Sequence, residues 1–210
     1  MRVLHIRELP SGWLGKNHAL QRGSELASGK YLLFTDADVV FERGALRRAV
    51  AHCESERLDH LVVLAEFIVR ERLLAMLLLG GTAFMLSRLQ PWKVNRSPHH
   101  FIGMGAFNMV RASAYRSAGG HGALALEVVE DILLGRLLKA HGARQDALLG
   151  VGSVAVEWYP GTRAMMHGLE KNSFAMLDYR FTRLLGLTAV ALPLHYWPWV
   201  GLWCTQGLAW

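Results

Sequence analysis

The sequence predicts an α/β layered domain followed by an apolar C-terminal segment. Strand-like and helix-like stretches alternate through residues 1–67, and this order is typical of a sheet with helices packed against it. Residues 184–210 contain no Asp, Glu, Lys or Arg. The chain has 210 residues, of which 52% are hydrophobic and 19% charged, so it is long enough for one domain with a core and an appended segment.

The predicted elements follow from the apolar periodicity and from the glycines and prolines between them. Strands are expected at 3–6, 31–35, 61–67 and 106–110, and helices at 17–27 and 44–53. The stretch "LALEVVEDILLGRLLKAHG", residues 124–142, predicts a further helix. Its acidic residues lie in the first turns, Lys139 and His141 lie in the last turn, and Gly142 follows as a helix terminator.

The C-terminal run of residues 184–210 is long enough to cross a bilayer core of roughly 30 Å. It contains four tryptophans, and Arg180 and Arg183 precede it, which indicates a membrane-spanning segment whose preceding domain faces the cytoplasm. The alternative is a buried core helix that Pro193 and Pro198 interrupt.

A second apolar stretch, "LLAMLLLGGTAFML", covers residues 73–86. This stretch is too short to span a bilayer and too apolar for a free surface. An interfacial helix on the acceptor side and a buried helix are both open explanations.

Charge and cysteine content narrow the partners and the compartment. The formal net charge is +6 and the isoelectric point is near 9.7, which favours acidic partners such as phosphates or anionic lipid. A solvated basic surface is an equally open explanation, and a nucleic acid is not among the predicted partners. Cys53 and Cys204 form no CxxC motif, so a reducing compartment is expected. The start, "MRVLHIRELPSGW", lacks the apolar core of a signal peptide.

Two aspartates follow the apolar strand in "LLFTDADVVF". Asp36 and Asp38 are two residues apart, so they project from one face if the strand continues. Two carboxylates beyond the carboxyl end of a strand suit Mg²⁺ or Mn²⁺, and ligands of open α/β sheets bind at this edge. The alternative is an Asx-type turn that ends the strand, and the spacing alone favours the turn.

Three further residues are candidates for a site. "GWLGKN" lacks the spacing of a phosphate-binding Walker A loop, but Lys16 lies at a predicted helix start, where a cation and backbone N–H groups face an anion together. Glu130 and Asp131 end the "EVVED" segment, after the glycine-rich "SAGGHGA". A favourable interaction with the helix dipole explains these two acids without any chemistry.

The stretches "GWLGKNHALQRGSELASGKYLLFTDADVVF", "GAFNMVRASAYRSAGGH" and "VVEDILLGRLLKAHGAR" together resemble the family 2 glycosyltransferases. The resemblance covers roughly residues 9–178, and it is strongest to the membrane-bound branch with ceramide glucosyltransferases and hopanoid-associated transferases. It implies a GT-A fold, a nucleotide-sugar donor, an inverting transfer and a lipid acceptor. It also implies an enzyme of the inner membrane whose catalytic domain, residues 1–178, faces the cytoplasm.

The resemblance also assigns roles to residues. Asp36 and Asp38 match the DxD motif, which holds Mn²⁺ or Mg²⁺ and the donor diphosphate. Asp131 matches the general base that takes the proton of the acceptor hydroxyl, and Glu130 stands beside it. Lys16 is expected on the donor diphosphate.

Two features depart from the family pattern. The usual QxxRW motif is absent and "WYPGTRAMMHGLEKN" occupies its place, so Arg163 and Lys171 are the expected diphosphate contacts there. Family members also carry an additional N-terminal βαβ portion that holds the nucleoside. This sequence starts directly before the strand that leads to "GWLGK", so a fragment, a misassigned start or a degenerate copy is expected.

Two other functions remain open from sequence. A non-catalytic, membrane-associated remnant would keep the fold without donor binding. A haloacid-dehalogenase-type phosphatase would also place DxD after an apolar strand, but it would have Gly-Thr after the second aspartate, where Val39 and Val40 stand here.

Overall fold

The computed structural model describes residues 3–177 and 179–204, with the side chains of 170–176, 194–195 and 198–204 left out. The chain divides into two compact units, Met1–Met165 and Met166–Trp210. The helices are α1 (Gly15–Leu26), α2 (Ala45–Ser55), α3 (Arg72–Leu89), α4 (Ala112–Ser117), α5 (Glu130–Ala140), α6 (Thr162–Met176) and α7 (Phe181–Cys204). The strands are β1 (Tyr31–Phe34), β2 (Val39–Phe41), β3 (His60–Leu64), β4 (Glu66–Phe67), β5 (Asn108–Arg111), β6 (Gln145–Leu149) and β7 (Val154–Val156).

The first unit contains two mixed sheets. The larger sheet has the strand order β1-β5-β3-β6, and the smaller sheet has the order β2-β7-β4. β5 is antiparallel to both β1 and β3, and Met109 stands opposite Leu33 on one side and Leu61 on the other. β1 and β3 therefore run in the same direction, and their carboxyl ends lie at the same edge of the sheet. This edge positions the site described below.

Helices cover both faces of the larger sheet, as the alternation of its side chains requires. Met109 on one face packs with Leu61 and with Cys53 of α2. Val110, the next residue on β5, points to the other face and packs with Leu134 of α5. This arrangement confirms the α/β layered domain that the sequence predicts.

Most of the local predictions are confirmed, within a few residues, by α1, α2, β1 and β5. The strand predicted at 61–67 is interrupted at Ala65 and becomes β3 and β4, which belong to different sheets. The strand predicted at 3–6 is wrong, since residues 3–10 form no regular element and Val3 and Leu4 are exposed. β2, β6, β7, α4 and α6 were not predicted from the sequence.

The helix predicted over 124–142 starts at Glu130 instead. The physical reason is Asn17 of α1, whose Nδ2 donates to the main-chain oxygens of Leu124, Ala125 and Glu127. These carbonyls accept hydrogen bonds from a distant side chain, and the residues before Glu130 form a tight 3-10 turn and an irregular loop.

The apolar stretch predicted at 73–86 is longer than its sequence indicated. α3 has 18 residues, and the segment Arg72–Lys93 is long and apolar enough to cross a membrane, with only 11% of its apolar window buried. The length estimate from sequence is therefore wrong. The buried-helix alternative is also wrong, because Leu74 and Leu78 are its only buried side chains.

The second unit contains α7, which continues through Pro193 and Pro198. Its first part, Phe181–Pro193, is apolar. The side chains of 194–195 and 198–204, and all of residues 205–210 of the predicted span, lie outside the described part of the chain. The C-terminal membrane-spanning segment stays a prediction, as does the domain boundary at residue 178.

Candidate functional site

Asp36 is held at the end of β1 by the loop that precedes β5. Thr35 Oγ1 donates to the main-chain oxygen of Ala106 at 2.9 Å, and the Asp36 N–H donates to that of Gly105 at 2.9 Å. A small pocket lies beside this connection. Its polar lining consists of Lys16, Thr35, Asp36, Asn108, His121, Glu130 and Asp131.

Lys16, in the first turn of α1, joins two carboxylates of this pocket. Its Nζ lies 3.0 Å from Asp36 Oδ1 and 2.7 Å from Glu130 Oε1. Burial alone lowers the pKa of Lys16, but the hydrogen bonds and charges of Glu130 and Asp36 outweigh burial and raise the pKa above its usual value. Lys16 is therefore a cation at neutral pH. The anions beside Lys16 are the carboxylates of Asp36 and Glu130, and its predicted contact with a donor diphosphate stays a prediction.

Glu130 begins α5 and is 5% exposed. Burial raises the pKa of its carboxyl group, the nearby charge of Asp131 adds to this, and Lys16 opposes it. Burial prevails over the single cation, so this carboxyl group ionises less readily than an ordinary glutamate. Lys16 is the cation that offsets the cost of its charged form.

Asp131 is half-buried, and both of its carboxylate oxygens accept backbone hydrogen bonds. Oδ2 accepts from the Gly105 N–H and Oδ1 accepts from the Ile132 N–H, each at 2.8 Å. These two donors fix the orientation of the carboxylate at the start of α5. Each oxygen still has a lone pair for a further donor, which leaves the group able to accept a proton.

The loop before β5 needs its glycines because backbone and carboxylate groups approach it closely. A Cβ on Gly103 would lie 1.7 Å from the main-chain oxygen of Asp131. A Cβ on Gly105 would lie 2.4 Å from Asp36 Oδ2. Both distances are far below any real contact, so this loop admits only glycine while Asp36 and α5 keep their places.

Three residues that support this pocket, His60, Asn108 and His121, were not predicted from the sequence. Asn108 Nδ2 donates to the main-chain oxygen of Asp131 at 3.3 Å, and its Oδ1 is hydrogen-bonded to His60 Nε2. Burial lowers the pKa of His60 and of His121 to about 4, so both rings are neutral at pH 7. The available signal was a polar residue within an apolar strand, in "HLVVL" and "FNMVR".

Two of the predicted site residues that the structure describes, Asp38 and Arg163, do not line the pocket. Asp38 is exposed in the turn between β1 and β2, and Arg163 is exposed in the first turn of α6. The side chain of Lys171 lies outside the described part of the chain. Among the described residues, no three His, Cys, Asp or Glu side chains are grouped as a metal site. The roles predicted for these residues, and the metal, therefore stay predictions.

Comparisons with known proteins identify the family. No curated protein matches the sequence. The solved structure of S. aureus TarS 1-349 in complex with UDP-GlcNAc is similar, with a TM-score of 0.44 and 16% identity over 75% of this chain, and the match spans 42% of the TarS chain. The profile of Glycosyl transferase family 2 matches residues 2–117, more than half of the 210 residues. Lys16, Asp36 and Asp38 lie within this match, and Glu130 and Asp131 lie after it. The chain belongs to glycosyl transferase family 2.

Proposed function

We propose that the chain is a metal-dependent glycosyltransferase that moves a sugar, with inversion, from a nucleotide-diphosphate donor to a lipid acceptor. Family membership supports the transfer of a sugar. The observation that carries the proposal is a pair of hydrogen bonds made by the main chain of Gly105. The Gly105 carbonyl oxygen accepts from the Asp36 N–H, and the Gly105 N–H donates to Asp131 Oδ2. Gly105 thus holds the main chain of Asp36, the proposed donor-side residue, and the carboxylate of Asp131, the proposed acceptor-side residue, at one pocket.

On the donor side, Asp36 and Asp38 are the proposed ligands of Mn²⁺ or Mg²⁺. Both lie on the short connection from β1 to β2, and two carboxylates fit a hard cation that takes its remaining oxygens from phosphates and water. A bound ion of this kind neutralises charge on a departing diphosphate. Lys16, Arg163 and Lys171 are the proposed further cations for the diphosphate.

On the acceptor side, Asp131 is the proposed general base. Two backbone donors hold its carboxylate in place while a lone pair on each oxygen faces no other described donor. A positioned carboxylate of this kind takes the proton of an attacking hydroxyl group. Glu130 is the proposed holder of Lys16, because its carboxylate lies 2.7 Å from the ammonium group.

The replacement Asp131→Asn tests the proposed base. The amide keeps the size of the side chain but removes its basicity, so turnover of nucleotide sugar with a lipid acceptor should fall by about 10²- to 10⁴-fold. Donor binding should persist, since the proposed metal ligands are Asp36 and Asp38. The matched control is Glu25→Gln, an exposed carboxylate on α1 outside the pocket. Turnover of Asp131→Asn equal to that of the control would remove Asp131 from the mechanism.

The replacement Asp38→Asn tests the metal. An amide brings no negative charge to a cation, so Mn²⁺-dependent binding of a nucleotide sugar should be abolished in calorimetry. Tight binding without metal, unchanged in Asp38→Asn, would refute metal dependence. A native chain without any donor binding would indicate the non-catalytic remnant instead. The phosphatase alternative is set aside, because the chain belongs to a glycosyltransferase family.

The proposed location is the inner membrane, with the catalytic unit at the cytoplasmic face. Its support is the apolar character of α3 and of Phe181–Pro193 in α7, together with Arg180 and Arg183 at the start of the apolar C-terminal part. The same apolar segments support a lipid acceptor, since a water-soluble acceptor needs no apolar surface beside the enzyme. Fractionation of cells tests the membrane location, and digestion of the catalytic unit by protease added to inverted vesicles, whose outer surface is the cytoplasmic face, tests the orientation.

A further inference from the structure

We infer that α3 binds a lipid bilayer lengthwise, with one side on the protein and the other in the membrane interface. α3 is apolar on all sides, whereas the helix of a water-facing surface has one polar side. Leu74 and Leu78, one turn apart, are buried. Five other large apolar side chains of α3 are exposed, namely Leu73, Met76, Leu77, Leu79 and Phe84. Met85, Leu86 and Leu89 near its end are half-buried.

The charges around α3 are those of a helix beside anionic headgroups. No Asp, Glu, Lys or Arg occurs in residues 73–87, whereas Arg72 begins the helix, Arg88 lies in its last turn and Lys93 follows it. None of these three cations forms a salt bridge with a carboxylate of the described residues. Cations at both ends of an uncharged apolar helix complement an anionic lipid surface.

The buried side of α3 distinguishes lengthwise binding from spanning. With 18 residues the helix is about 27 Å long, which approaches the thickness of a bilayer core. A spanning helix would be surrounded by lipid, yet Leu74 and Leu78 are buried against other parts of the protein. Lengthwise binding keeps this attachment and still removes the exposed apolar side from water.

This orientation gives a lipid acceptor a direct route to the pocket. α3 follows β3 and β4, and β3 ends at the sheet edge where Asp36 follows β1. An acceptor headgroup at the bilayer surface therefore meets the edge of the sheet that carries Asp36 and Asp131. This route rests on the proposed function, whereas the lipid contact of α3 does not.

Depth-dependent fluorescence quenching tests the lipid contact in the full chain. A single dye is attached at Met76→Cys or Phe84→Cys in a Cys204→Ser background, where the remaining Cys53 is buried. Met76 and Phe84 are 71% and 62% exposed, so the dye does not disturb packing. The matched control is Leu149→Cys, 75% exposed at the end of β6. The protein is reconstituted in phosphatidylcholine vesicles with or without phosphatidylglycerol, which carry quenchers near the headgroup or near the bilayer centre.

Lengthwise binding predicts that headgroup-level quenchers act several-fold more strongly than central ones at both α3 positions, and more strongly with phosphatidylglycerol. The control position should remain accessible to aqueous quenchers only. Stronger central quenching at Met76→Cys or Phe84→Cys would overturn the inference in favour of spanning. Aqueous accessibility like that of the control, or shielding that persists without lipid because protein covers α3, would also overturn it. None of these readouts needs sugar transfer, so they fail or succeed independently of Asp131→Asn.

Discussion

Gly135 lies in the middle of α5, and we predict that its replacement by alanine destabilises the protein. Alanine is normally better than glycine in a helix interior by about 1 kcal/mol. Here a Cβ would lie 1.8 Å from the main-chain oxygen of Ile102. Real Cβ atoms essentially never come within 3.0 Å of such an atom, so helix and loop must separate by at least 3.0 − 1.8 = 1.2 Å.

The loss of stability in Gly135→Ala depends on how strongly the packing of α5 against the Ile102 backbone resists this separation. Overpacking costs about 1–3 kcal/mol, and the upper end applies because Ile102 meets the new atom with backbone rather than with a flexible side chain. The gain in helix propensity offsets about 1 kcal/mol. The free energy of unfolding of Gly135→Ala should therefore fall by about 2 kcal/mol. At about 2–4 °C per kcal/mol for a unit of this size, the melting temperature should fall by about 4–8 °C.

The assay is thermal and urea unfolding of the detergent-solubilised protein, followed by circular dichroism. The control is Gly23→Ala on the exposed side of α1, where no atom lies within 4 Å of the new Cβ. This control should gain about 1 kcal/mol, which is a rise of about 2–4 °C. A Gly135→Ala midpoint equal to or above the native one would refute the close approach of α5 to the loop before β5.

Three further outcomes are expected. Lys16→Met should lower the free energy of unfolding by about 1–2 kcal/mol at pH 7, less than the loss of a fully buried pair, because the Lys16 side chain is 53% exposed. Urea unfolding should show that this loss becomes smaller as the pH falls, because Glu130, whose pKa is raised by burial, then takes up a proton. Burial lowers the pKa of His60 from 6.5 to about 4, so the free energy of unfolding of the native protein should fall by about 3 kcal/mol between pH 7 and a pH below 4. His60→Gln should abolish this contribution, which a series of unfolding midpoints measured against pH would show. Deletion after Arg183 should weaken retention of the protein by membranes in carbonate extraction, with residual binding through α3; unchanged retention would remove the C-terminal segment as an anchor.

Local signals predicted those elements whose ends are decided locally. α2 begins after Gly44, which adopts φ 93°, and such a glycine is a boundary that the sequence shows directly. The start of α5 is decided elsewhere, by the side chain of Asn17, which lies 113 positions before Glu130 (130 − 17). Periodicity within 124–142 contains no information about this side chain, so the prediction extended the helix too far.

The candidate site shows the same division between local and distant causes. Motif resemblance selected Lys16, Asp36, Glu130 and Asp131, and the structure brings these four to one pocket. The resemblance did not indicate that Lys16 bridges Asp36 and Glu130, because that contact depends on how α1, β1 and α5 pack. His60 and Asn108 were missed for the same reason, since their importance lies in the hydrogen bonds they form across strands.

The two aspartates of "TDAD" differ in a way that spacing alone does not reveal. A period of two residues places Asp36 and Asp38 on one face only if β1 continues, and β1 ends at Phe34. It ends there because the Asp36 N–H donates to Gly105, 69 positions further along the chain (105 − 36), and the next residues turn towards β2. Asp36 is therefore tied to Lys16 and to the loop before β5, whereas Asp38 is exposed in the turn. A replacement of Asp36 would therefore remove its ion pair with Lys16 and alter its close contact with Gly105, in addition to removing a proposed metal ligand. Replacement of Asp38 changes only the charge, so it is the position at which loss of metal-dependent donor binding reports on the metal alone.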